Sequence, residues 1–95
     1  VDRNKTEALR WTHLAADQGE TGAQYDLGLM YMLGSGSQQD NVSAYMWLSL
    51  AAAGLAGNDR ELAIETRDQL GQQMTTQQRT EAQRRERAWK PIVER

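Results

Sequence analysis

A shift of 36 residues lays the chain over itself: Ala8 falls on Ala44, Trp11 on Trp47, Leu14 on Leu50, Ala15 on Ala51 and Ala16 on Ala52, with Asn4 on Asp40 ahead of them. A period of that length belongs to architectures that stack one supersecondary unit on the next, so it constrains the fold more than any single motif. In both copies, EALRWTHLAAD and VSAYMWLSLAA, apolar residues recur at three- and four-residue steps, the spacing of a buried helix face. Between them TGAQYDLGLMYML carries a second helical pattern. The GSGS that follows stops it, because glycine readily takes the left-handed conformation of helix ends. The unit is helix, glycine-rich turn, helix.

Helix starts can be read independently, from a capping residue followed three positions later by Glu or Gln. Asn4 with Glu7, Thr21 with Gln24, Asn58 with Glu61 and Thr75 with Gln78 fit, and Asp40 supplies a fifth start. These signals predict helices at about 5–18, 22–33, 41–54, 59–71 and 75–89, the last ended by Pro91. A shift of 37 sets Leu27 on Ile64, Leu33 on Leu70 and Gly34 on Gly71, which makes the fourth helix a worn copy of the second. The fifth is polar and arginine-rich, as a stack requires where it meets water. The expected fold is therefore all-α and a single domain over 1–95, a short α/α solenoid of antiparallel helix pairs with a C-terminal capping helix. Residues 4–18 are read as the second helix of a partial repeat, 21–54 as a complete repeat, and 58–95 as a degenerate repeat and cap.

The segment WTHLAADQGETGAQYDLGLMYMLGSGSQQDNVSAYMWLSLAAAG resembles the Sel-one-like repeat, a relative of the tetratricopeptide repeat. The resemblance rests on Ala8, Trp11, Ala15, Ala16, Gly19, Ala23, Leu27, Gly28, Tyr31, Gly34, Gly36, Asp40, Ala44, Trp47, Ala51 and Ala52. Through Arg67, Leu70, Met74, Thr75, Gln78, Ala82, Gln83 and Trp89 the tail resembles the region that closes bacterial members. What the resemblance implies is a non-catalytic adaptor or scaffold that brings proteins together, here as the C-terminal part of a longer bacterial array. Some secreted members brace each repeat with a disulfide. This chain has no cysteine, so that subgroup's properties do not carry over.

Chemistry has few parts to work with. With one histidine, His13, and no cysteine, neither a nucleophile–base pair nor a converging metal site can be assembled, so no catalytic residue, metal or cofactor is expected. No S-x-x-K motif occurs, and GSGS lacks the Lys-Ser/Thr of a phosphate loop. Glu61, Glu65 and Asp68 share their segment with Arg60 and Arg67, the pattern of ordinary helix-surface pairs. No run approaches the roughly 18 apolar residues of a spanning helix, so membrane insertion is not expected. The compartment, cytoplasm or periplasm, stays open: Val1 begins no signal-like segment, and a cysteine-free chain fits both.

Charge is uneven. No Lys or Arg occurs between Trp11 and Asp59, whereas six basic residues against three acidic ones follow Gln78. Arg and Glu interleave there without an aromatic platform, so a solvated helix face is expected rather than a nucleic-acid surface.

Two surfaces are candidates for a partner. The second helix has one apolar stripe at Ala23, Leu27, Met30 and Tyr31 and another at Tyr25, Leu29 and Met32. The second stripe either packs on neighbouring repeats or, with Asp26, binds a protein or peptide partner; in the related repeats the first helix of each pair lines the concave groove. The first helix is read as lacking its own first-helix partner. Leu9, Trp11 and Leu14 are then left partly uncovered, a surface for self-association as a two-fold homodimer or for an upstream repeat.

Overall fold

The computed structural model describes residues 3–92 and contains five helices and no strand among them. They are α1 (Arg3–Asp17), α2 (Thr21–Leu33), α3 (Asn41–Gly54), α4 (Gly57–Gln72) and α5 (Thr76–Ala88). Short links fold each of the first four helices back on the one before it, and α5 packs on α3, giving the all-helical α/α stack that the repeat predicts.

α3 is the hub, since α2, α4 and α5 all pack against it. It starts where Asp40 accepts the Ser43 backbone N–H at 3.1 Å and the Ser43 hydroxyl at 2.7 Å. Its Ala44, Leu48, Ala51 and Trp47 are buried. Gly28 of α2 lies so close to it that an added Cβ would stand 2.8 Å from Leu48 Cγ and 3.2 Å from the Ala44 carbonyl oxygen. One core cluster joins Ala44 and Leu48 to Leu70 and Met74; the other joins Trp47 to Ala16 and Leu27. Tyr31 packs on both. Burial, helped by the carboxylates of Asp40 and Asp17, raises its phenol pKa.

Three of the four helix connections use one device. The Gln24 amide donates to the Ala16 carbonyl at 3.2 Å, Arg60 Nε to the Ala52 carbonyl at 3.2 Å, and Arg79 Nη1 to the Gly71 carbonyl at 2.6 Å. In each, a side chain eight residues on reaches back to a carbonyl near the end of the preceding helix, where carbonyls lack intrahelical partners. Gln24 and Arg60 are equivalent under the 36-residue shift, although their chemical difference hides this from a letter comparison. The α2–α3 link instead turns on glycine: Gly34 and Gly36 have φ of 71° and 82°. A Cβ on Gly36 would fall on the Lys5 carbonyl, so this loop packs directly against α1.

Several helix starts differ from the sequence expectation. Thr75 and Gln78 do form the reciprocal capping box. Thr21 does not cap α2, whose N-cap is Glu20 without a side-chain bond, because Gln24 is drawn inward to Ala16. Asn58 lies inside α4, whose N-cap is Ala56. Asn4 lies inside α1, and the cap of that helix falls outside the described residues. Gly71 is helical and packed on Tyr45, so it does not play the turn-forming part of Gly34.

Beyond α5, which ends three residues before Pro91, the chain runs back across the stack. Trp89 meets Trp47 edge-on with ring centres 6.0 Å apart, Pro91 lies against Gly19, and the Ile92 N–H donates to the Asp17 carbonyl at 2.7 Å. His13 takes the other side of Trp47, also edge-on, at 5.6 Å. Trp47 is thus held between the first helix and the tail.

The Gly28 crossing generates a stability prediction. Gly28→Leu overpacks a site where even a methyl group meets Leu48, and is expected to destabilise by about 1–3 kcal/mol. Urea denaturation measures it, and an unchanged midpoint would mean that α2 does not approach α3 this closely.

Candidate functional site

The stripe Tyr25, Leu29 and Met32 is divided by the fold. Tyr25 and Met32 are half-buried against the Ala44–Leu48–Leu70–Met74 cluster, and Leu29 is half-buried as well. Part of the stripe therefore packs between helices. Tyr25 also opens, with exposed Asp26, onto a cleft of about 230 Å³ whose other walls are Gly22, Leu55, Asp59 and Leu62. The sequence reading missed these four. Leu62, 50% exposed on a helix that is otherwise largely polar outside its core positions, was the one visible signal.

Leu9, Trp11 and Leu14 come together on α1 in an open groove of about 620 Å³, with Thr6, Arg10, His13 and Asp17. Trp11 is 62% exposed and Leu14 45% exposed, while Leu9 is half-buried against the Trp47 cluster. Trp11 does not fill space between helices as Trp47 does. The Arg10 guanidinium lies 5.7 Å from the Trp11 ring centre. His13 Nδ1 is 2.9 Å from the Asp17 carboxylate, and its ring leans on Trp47, so this histidine is engaged structurally.

The pattern of the Sel1 repeat matches residues 1–20 and 21–54, more than half of the chain. The chain belongs to the Sel1 repeat family. The second matched span is the α2–α3 hairpin that carries the Gly28 crossing. Among curated proteins and among solved structures, nothing matches significantly. Sel1 repeats generally mediate protein interactions and are typically non-catalytic. Among the described residues, no group of three His, Asp or Glu side chains is placed to hold a metal ion, and no helix is long and apolar enough to cross a membrane.

Three cations at the basic end of this Sel1 chain, Arg79, Arg84 and Arg85, are engaged within that end. Arg79 serves the Gly71 and Met74 carbonyls. Arg84 donates to Glu81 through Nε at 2.9 Å and Nη2 at 2.7 Å, and Arg85 Nε donates at 2.7 Å. Hydrogen bonds from Arg84 and then Arg85 lower the Glu81 carboxyl from the ordinary 4.5 to about 2. A depressed carboxyl pKa stabilises the fold above its unfolded value, and that contribution disappears as pH falls through the folded one. For Glu81 the window runs from 4.5 down to about 2, and salt screens the effect because the fork is at the surface. A carbon-detected titration at low salt is expected to place the Glu81 midpoint near 2, and near the ordinary value in Arg84→Gln/Arg85→Gln. An ordinary midpoint in the unaltered chain would dissolve the fork.

Proposed function

We propose that this Sel1 repeat chain is a non-catalytic scaffold or adaptor that binds a protein or peptide along the α2 face carrying Tyr25, Asp26, Leu29 and Met32. The observation that supports this reading is the open cleft in which Tyr25 and Asp26 meet Leu55, Asp59 and Leu62. Apolar walls with a few polar groups at the rim are the usual makeup of a recognition surface. In this reading α1 is the second helix of a partial repeat, α2 with α3 a complete one, and 58–95 a degenerate repeat and cap closing a bacterial array. Asp26→Ala/Leu62→Ser alters two exposed cleft residues and leaves the core alone. In an affinity pull-down a specific partner held by the unaltered chain is expected to be lost by this variant, with the helical circular dichroism spectrum unchanged. Equal retention by both would refute binding at this face.

A second reading, a self-associating structural or envelope element without a separate ligand, is favoured by the exposed Trp11. Arg10 and Asp17 flank Trp11 and Leu14 with opposite charges. An antiparallel second copy related by a two-fold axis near Leu14 brings each Arg10 toward the other chain's Asp17, and covers Leu9, Trp11 and Leu14. Burying one large apolar side chain contributes about 1.5–3 kcal/mol. Sedimentation at micromolar concentration is then expected to show a dimer that Trp11→Glu/Leu14→Glu converts to monomer. A strictly monomeric chain would discard this reading.

A further inference from the structure

The carboxylates of Asp26 and Asp59 border the α2–α4 cleft without an ion pair among the described residues. No Lys or Arg precedes them back to Trp11, and the next cation in sequence, Arg60, is turned away to cap the Ala52 carbonyl. Asp59 has a local reason to be acidic, since it lies in the first turn of α4 and favours the helix dipole. Asp26, beyond the first turn of α2, has none. Between them stand Tyr25, Leu55 and half-exposed Leu62, an apolar floor. At about 230 Å³ the space falls below the roughly 300–1,000 Å³ of sites that enclose small molecules, so it suits a side chain rather than a metabolite. Gly22 lines the cleft, and a Cβ there would meet nothing within 4 Å, so the backbone tolerates a side chain at this wall.

Resting on the interaction role above, we propose that this cleft seats a basic–apolar protein segment. One side chain of leucine, methionine or phenylalanine size enters between Tyr25, Leu55 and Leu62, and a flanking Lys or Arg on each side meets Asp26 and Asp59. The apolar side chain supplies the affinity and the two cations supply the selection, because complementary charge governs which partner is accepted.

The test uses the whole chain and three synthetic peptides in a Ser/Gly background, with Lys-Leu-Lys, Glu-Leu-Glu or Lys-Ser-Lys at the centre, followed by amide NMR shifts. Lys-Leu-Lys is expected to move Gly22, Asp26, Leu55 and Leu62, and to bind at least about fivefold more tightly than either control, the difference one charge pair or one small apolar contact makes. Its binding weakens in Asp26→Asn and in about 0.5 M salt, where the Debye length shrinks to a few ångströms. Gly22→Leu adds a bulky side chain to the cleft wall and replaces glycine with a better helix former, so it is expected to abolish binding with no loss of thermal midpoint. Absence of shifts at these amides, equal binding of the Glu-flanked peptide, shifts centred on Trp11 and Leu14, or full binding by Gly22→Leu each overturns the proposal. A natural partner lost on Leu62→Ser yet indifferent to Asp26→Asn also overturns it, and leaves the wider interaction role standing.

Discussion

The close crossing of α2 over α3 at Gly28 is the contact on which the stack depends. With no Cβ in the way, the backbone of α2 comes against Leu48 and the Ala44 carbonyl, and both become fully or nearly fully enclosed. α3 is thereby fixed on one side and free to receive α4 and α5 on the others. Trp47, on the same helix, carries the connection further, since its ring is faced edge-on by His13 from the first helix and by Trp89 from the tail.

The 36-residue self-similarity made α1, α2 and α3 legible, because a helix that repeats its apolar face must repeat its packing. It could not tell Trp11 from Trp47. They occupy the same register, yet one is 62% exposed and the other 3%, because burial is decided by the neighbouring helix and not by a helix's own pattern. Capping was legible where the side chain had no competing partner, as at Thr75, and illegible at Thr21, where Gln24 is taken by the Ala16 carbonyl. The cleft beside Tyr25 was half visible. Its far wall comes from the α3–α4 link and from α4, segments whose polar sequence gives no sign that Leu55 and Leu62 arrive together.

Electrostatics and capping are coupled throughout. Arg60 and Arg79 are spent on the carbonyls that precede them, and Arg84 and Arg85 on Glu81. Half of the cations that follow Gln78 are thus held by the fold, while Asp26 and Asp59 of the middle segment stay exposed. Beside the acidic cleft the same device is at work, since Arg60 is held by the Ala52 carbonyl while its neighbour Asp59 stays at the rim.

The tail that ties Ile92 to Asp17 changes the kinetic character of an otherwise local fold. Nearly every other packed pair joins helices close in sequence, the kind of contact that forms quickly. The strap joins the tail to the end of α1, and closing a loop of that length costs entropy that its own few contacts only partly offset. Its hold on α1 is therefore conditional on the helices between them being stacked. Trp47, faced by His13 from α1 and by Trp89 from the tail, is where the two ends of that long loop meet.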